Sequence, residues 1–224
     1  MRKTIFMVLV LLFFLAPGAS CFGETAEAYY PLKEGMVWVY SVTSDKRGTT
    51  KITVTNLAPR EIKGKSVFPR KWDVGGAVKY YFIGKDDHGV YRFAEQKGEG
   101  GEPQETKPKV YYLKNPVDRG TTWDISTKLG EDDLKVNVTI EAIREKVQVP
   151  GGTYNDCVKV KHECGGPAKE GGNGNLSLTA YEWYAPGVGL VKSMFTIQRS
   201  LKGEKGEAKL AAENTTYQLE SFKP

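Results

Sequence analysis

The chain has 224 residues with 32 Lys and Arg against 27 Asp and Glu, a formal excess of only +5 at pH 7. Basic and acidic residues alternate in stretches such as Arg92 to Glu99 and Lys202 to Lys209, which argues against the concentrated basic stripe of a nucleic-acid binder. This is the composition of a solvated, mixed-charge surface. The N-terminus carries Arg2 and Lys3, then an unbroken apolar run from Ile5 to Ala16, then the small residues leading to Cys21. Charged n-region, apolar h-region and cleavage zone follow in the order of a secretory signal peptide, expected over residues 1–20. A membrane span needs about 20 apolar residues, so the run is too short to anchor the chain, and no later run in the sequence matches it. Removal of Arg2 and Lys3 leaves 30 basic against 27 acidic residues. A chain of roughly 200 residues remains, enough for one large β domain, expected over residues 29–224 with 21–28 as a tether.

Gly18-Ala19-Ser20-Cys21 resembles the lipobox of bacterial lipoproteins, whose Cys becomes the acylated first residue. The small residues Ala19 and Ser20 match that pattern, and Gly18 departs from it. Two outcomes follow: lipid attachment at Cys21 and a membrane anchor, or cleavage near Ser20 or Cys21 that releases a soluble periplasmic or secreted chain. Phe22 stands where an Asp resembles an inner-membrane retention signal in such lipoproteins, so the resemblance implies an outer-membrane destination facing the periplasm.

Strand signals dominate downstream. In chain order, β stretches are expected at Met36 to Val42, Lys51 to Leu57, Val78 to Ile83, Val90 to Phe93, Val110 to Leu113 and Trp123 to Leu129. Leu134, Val136, Val138 and Ile140 then alternate with Lys135, Asn137, Thr139 and Glu141, the period of a strand with one buried and one wet face. Further stretches follow at Cys157 to Lys161, Leu176 to Tyr184, Leu190 to Ile197 and Thr215 to Phe222. Turn chemistry separates them at Lys85 to Gly89, Val149 to Gly152 and Ala185 to Gly189, and such short connections favour antiparallel neighbours. Gln96 to Lys109 and Gly165 to Asn175, rich in Gly, Pro, Glu and Lys, read as long loops. Ala208 to Glu213 reads as a helical turn or the start of the last strand. The fold class is therefore all-β and mostly antiparallel, with few helices.

An internal echo suggests two pseudo-repeated units, 30–95 and 111–200. Tyr29-Tyr30 with Gly35-x-x-Trp38 is matched by Tyr111-Tyr112 with Gly120-x-x-Trp123. The alternative is that Gly-x-x-Trp merely marks strand starts. Trp38 and Trp123 are expected to cover the end of a curved sheet, each indole N–H finding an acceptor. A ligand-stacking role for them, or for Tyr80, Tyr81, Tyr111 and Tyr112, is the other reading.

Cys157 and Cys164 could pair only across a turn, since on one straight strand their Cα atoms would stand about 23 Å apart and a disulfide needs under about 7 Å. Unpaired thiols packed as small hydrophobes are the alternative. Cys157, His162 and Cys164 lack zinc-site spacing and a fourth ligand.

Tyr30 to Tyr40, Val149 to Cys157 and Trp183 to Lys192, in that order, resemble a family of exported bacterial envelope proteins and lipoproteins of unknown function, described as TapB-like. The resemblance covers nearly all of the mature chain. It implies a large curved antiparallel sheet, a half-barrel or open barrel, and no known catalytic residues.

The usual catalytic constellations are not in the sequence: it contains no Gly-x-Ser-x-Gly, His-Glu-x-x-His or Cys-x-x-Cys. Gly64-Lys65-Ser66 is a fragment of a phosphate loop with Pro59 where its first Gly should stand. Asp86-Asp87 and Asp132-Asp133 read as solvated turn residues rather than calcium ligands. No catalytic residue, metal site or cofactor is expected, and no ligand-binding residue is identified. The expectation is a non-catalytic cell-envelope protein, binding a partner or an apolar ligand on its concave face or loops. The alternative is an assembly accessory of an envelope complex without a small-molecule pocket. An interior cavity would favour the first and an exposed apolar patch the second.

Overall fold

The computed structural model describes residues 24–129, 132–168, 174–202 and 208–224. The signal peptide expected over residues 1–20 and Cys21 lie outside them. A short helix, α1 (Ala26–Tyr29), precedes the strands β1 (Val37–Ser44), β2 (Gly48–Asn56), β3 (Arg60–Ile62), β4 (Lys65–Val74), β5 (Ala77–Asp86), β6 (Gly89–Lys97) and β7 (Gln104–Lys114). The chain continues through β8 (Thr122–Leu129), β9 (Asp132–Val149), β10 (Gly152–Ala168), β11 (Gly174–Ala185), β12 (Gly189–Lys202) and β13 (Ala208–Lys223). Twelve strands follow one antiparallel path, β7-β6-β5-β4-β2-β1-β13-β12-β11-β10-β9-β8, and β3 pairs with β4 beside it. The sheet curls nearly into a barrel, with β7 and β8 left as the two sides of one unsealed seam. Two sequential halves, β1–β7 and β8–β13, therefore meet along the continuous β1–β13 pairing and across the seam.

Every β stretch expected from the sequence falls on a strand. The alternation on β9 holds: Val136, Val138 and Ile140 are buried while Asn137 is exposed. Most described residues of the two expected loops are strand, and 169–173 of the second lie outside the described residues. β6 runs to Lys97 and β7 begins at Gln104, and β10 extends through Gly165 to Ala168, because backbone pairing across the hairpins outweighs the poor β propensity of Gly, Pro and Lys. Ala208 to Glu213 opens β13 and is not helical. α1 lies within the stretch expected to be a tether, and its Ala26 is fully buried.

β10 carries both Cys157 and Cys164, and with no turn between them both thiols are free. Closure of so long a hairpin needs a bend, and the β9–β10 register shifts between Tyr154 and Cys157, with Arg144 and Asp156 at φ 62° and 55°.

Two apolar clusters fill the inside of the curl. One joins Tyr29, Leu113, Val138, Val158 and Tyr184 around the N-terminal segment, the other gathers Trp38, Val54, Cys157 and Leu219. The N-terminal segment is tied into the first: Ala26 N donates to Asn115 Oδ1 (2.8 Å), Gly187 N donates to Ala28 O (2.8 Å), and the Tyr29 hydroxyl donates to Glu24. A third cluster of Val67, Phe82, Tyr91 and Phe93 lies on the opposite face of β4–β6, where Ile62 of β3 packs on it and the Arg60 guanidinium sits 4.4 Å from the Phe82 ring. β3 thus covers apolar surface that would otherwise face water.

Both Gly-x-x-Trp segments build the same device. Gly35 and Gly120 sit at φ 83° and 93°, a region that favours glycine. Gly35 N donates to Asn56 O and Asn56 N to Met36 O; Gly120 N donates to Ile140 O and Ile140 N to Thr121 O. The Trp that follows is buried, and its indole N–H reaches a backbone carbonyl: Trp38 to Val188 at 2.7 Å, Trp123 to Tyr111 at 3.2 Å.

Candidate functional site

Period-two geometry on a curled sheet brings side chains from distant strands to one interior. Arg70 and Trp72 share a face of β4, and Glu182 and Tyr184 share a face of β11. With Trp38 and Tyr40 of β1, Tyr81 of β5, Arg92 of β6, Tyr112 of β7 and Tyr30 of the N-terminal segment, they line a cavity of about 190 Å³. Its walls are aromatic. Tyr30 stacks on Tyr112 with ring centroids 5.0 Å apart, and Trp72 meets Tyr81 edge-on at 5.8 Å. Two arginines and one carboxylate stand among these rings.

Arg70 is 7% exposed. Its Nε donates to Asn56 Oδ1 (2.7 Å) and its Nη2 to Pro31 O (2.9 Å), while Asn56 Nδ2 donates to Lys33 O (3.0 Å). The guanidinium lies over Tyr30 at 4.2 Å and Trp38 at 4.8 Å. Arg70 therefore pins the N-terminal segment across the end of the curl and contributes a positive charge to the interior.

Glu182 accepts from the Tyr184 hydroxyl (2.6 Å) and meets His162 Nε2 at 3.1 Å. Burial by itself would raise its pKa, but the charge of His162 and the hydrogen bonds from His162 and Tyr184 outweigh that and hold the carboxyl below the usual range. Burial raises the hydroxyls of Tyr30, Tyr40, Tyr112 and Tyr184 above the ordinary phenol range, so they remain neutral.

The seam gives the interior an outlet. β7 and β8 are stapled at their connected end by the Trp123–Tyr111 hydrogen bond. At the other end Lys107 of β7 and Ser126, Thr127 and Lys128 of β8 line a cleft of about 770 Å³, shared with Lys79, Tyr81, Arg92 and Glu95. Tyr81 and Arg92 line both cleft and interior cavity, which makes them the throat between the two. The cleft's outer lysines have acidic neighbours: Lys107 with Glu105 (3.0 Å), Lys128 with Asp133 (3.5 Å) and Lys135 with Asp124 (3.4 Å).

Of the aromatics named from the sequence, Trp38, Tyr81 and Tyr112 reach the cavity. Trp123 packs in the core beside the seam, the Tyr111 hydroxyl donates to Asp86 (3.0 Å), and Tyr80 packs against the outer cluster of Val67 and Phe82. His162 faces Glu182 and is not gathered with the two cysteines into a metal site. Asp86, expected in a solvated turn, is the last residue of β5 and is held low in pKa: burial opposes this, and hydrogen bonds from Lys109, Tyr111 and the His88 backbone prevail. Asp132, expected in a solvated turn, is instead 2% exposed on β9, with Arg199 at 3.6 Å.

Sequence reading missed Arg70, Arg92 and Glu182, and it missed β4 altogether. With Pro69 in the strand and a charged residue at an inward position, Lys65 to Val74 does not alternate apolar with polar, which hides β4 and Arg70; Arg92 and Glu182 lie on strands the pattern does predict, and nothing local marks their side chains as converging. The signal that could have found the site is a charge two residues from a Trp or Tyr on a strand, as in Arg70-x-Trp72 and Glu182-x-Tyr184.

No curated protein matches the chain. Among solved structures, a Bacteroides fragilis protein inferred to be exported, with a YmcC-like fold, is 18% identical; the match covers 87% of this chain and 98% of that one at a TM-score of 0.43. A Parabacteroides distasonis protein inferred to be a lipoprotein is 14% identical over 89% of this chain and 100% of its own, at a TM-score of 0.40. Residues 131–195, running from β9 into β12, match the family described as DUF3108-like. That stretch contains Val149 to Cys157 and Trp183 to Lys192, two of the three segments that resemble an exported family of unknown function.

Proposed function

We propose that this chain is a non-catalytic binding protein of the bacterial cell envelope, which holds a small ligand inside its curled sheet. One observation carries the reading: an aromatic-walled interior cavity that opens through the throat of Tyr81 and Arg92 into the seam cleft. Apolar pockets with a few convergent polar groups are the usual form of small-molecule sites. The large apolar side chains exposed among the described residues, Val74, Ile143 and Met194, sit on three strands that are not neighbours, so they form no docking patch. This favours ligand binding over an assembly role.

The leader and the Gly18 to Cys21 stretch support export and a lipid anchor on Cys21, and Phe22 supports an outer-membrane address facing the periplasm. The matched hydrogen bonds at Gly35 and Gly120 support an internal repeat of 30–95 and 111–200.

Two measurements test the reading. Metabolic labelling with a palmitate analogue should mark the protein, and Cys21→Ser should abolish the label; an unlabelled wild-type chain released in soluble form refutes the anchor. Native mass spectrometry of protein purified from its own envelope should show an adduct that organic extraction removes. A bare chain that also fails to bind the neutral dye phenylnaphthylamine refutes the interior site.

A further inference from the structure

We propose that the ligand is an organic acid, an apolar body ending in a carboxylate, sulfonate or phosphate, whose anionic group is met by Arg92 in the throat and faces Arg70 further in. This rests on the interior-binding reading above and adds the ligand's chemical class.

The argument is one of unmatched charge. Two guanidiniums reach the interior cavity, and the one carboxylate lining it, Glu182, is already engaged by His162 and Tyr184. The hydrogen-bond acceptors of Arg70 are the neutral oxygens of Asn56 and Pro31. Arg92 is worse provided for. Its Nη1 stands 3.5 Å from Glu95 Oε2, an oxygen that Lys79 approaches more closely at 3.0 Å. Its Nε is buried and donates to no acceptor. A half-buried guanidinium that shares its one near carboxylate with a lysine is incompletely neutralised, and a buried N–H without an acceptor is costly; an entering anion relieves both at once.

Location discriminates further. The outer cleft lysines have their own carboxylates, so the excess of positive charge is at the throat and within. There the rings of Trp38, Trp72, Tyr81 and Tyr112 offer an apolar wall beside the guanidiniums. The interior volume of about 190 Å³ lies below the 300–1,000 Å³ range of small-molecule pockets, roughly stated. Only part of the ligand therefore sits inside, with the remainder in the cleft. Arginine suits this task because its planar fork presents paired N–H donors to an oxyanion.

The test compares two dyes that share one apolar skeleton, phenylnaphthylamine and its sulfonate, anilinonaphthalenesulfonate, titrated by fluorescence into the folded full-length protein. The sulfonate should bind tighter by about tenfold or more, the scale of a charge-assisted hydrogen bond. Arg92→Met should remove that preference, so that the two dyes bind the variant equally, and Arg92→Lys should restore part of it. Equal affinity of the two dyes for the wild type, or a preference that survives Arg92→Met, overturns the acid assignment while leaving interior binding intact. Failure of both dyes to bind overturns both. If Arg92→Met does not fold, the wild-type comparison still decides.

Discussion

Gly35 and Gly120 open the two halves of the sheet with the same left-handed turn, the same pair of backbone hydrogen bonds and the same buried Trp, yet the interiors they introduce differ. From β1 to β7 the inward side chains include Trp38, Tyr40, Arg70, Trp72, Tyr81 and Arg92. From β8 to β10 they include Trp123, Val136, Val138, Ile140, Val158 and Val160, with polar groups at Asp132 near one end of β9 and at the His162–Glu182 pair. One architecture thus serves as a polar, aromatic lining on one side and a dry wall on the other. Strand geometry sets where a side chain points, and residue type alone decides whether that position packs or binds.

The strongest way to break this contrast is to charge the dry wall. Val138 is fully buried, so Val138→Asp should cost about 3 kcal/mol or more, whereas Thr139→Asp on the other face should cost less than about 1 kcal/mol. Denaturant titration of both variants checks it, and equal losses would mean the sheet is not one-sided there. The likeness at the strand starts can be tested next. Gly35→Ala and Gly120→Ala each force an L-residue to a positive φ with open space around it, a strain of about 1–2 kcal/mol. The two losses should agree within about 0.5 kcal/mol if the devices are equivalent.

A smaller effect tests the His162–Glu182 pair of the second half. Because the folded pKa of Glu182 is depressed, its stabilising contribution is present above the unfolded carboxylate pKa of about 4.3. That contribution is lost as pH falls through the lower folded value. Glu182→Gln should therefore flatten the acid limb of stability against pH below about pH 4, and an unchanged limb would remove the His162–Glu182 pair as its source. Smallest in energy is the behaviour of the β10 thiols. Burial pushes the Cys157 thiol up to about 11, and Cys164 is half-buried and also raised. Thiol labelling near pH 8, a condition chosen about half a unit below the ordinary thiol pKa, should modify Cys164 first and Cys157 only after unfolding. Failure of either thiol to label in denaturant would mean that they are not both free.

Much of the fold was legible because β alternation is a local property: Leu134 to Ile140 declares which side chains are buried without knowing what covers them. The strands that were lost were those whose local pattern is broken by what they do. β4 hides behind Pro69 and the inward Arg70, and the ends of β7 and β10 hide behind Pro and Gly that hairpin pairing tolerates. Spacing along one strand made a Cys157–Cys164 bridge depend on a turn, and the Gly-x-x-Trp starts could be read in the same local way. The site could not. Arg70, Arg92 and Glu182 lie on β4, β6 and β11, and nothing local says that these inward positions converge. That is settled by how far the sheet curls and by the gap between β7 and β8, both of which come from long-range pairing and packing. The amino-acid sequence by itself determined a one-sided antiparallel sheet, because period-two burial acts over a few neighbouring residues. Only the tertiary structure decided that the sheet closes on an aromatic cavity with two arginines, because charge becomes unmatched only when distant strands are brought together.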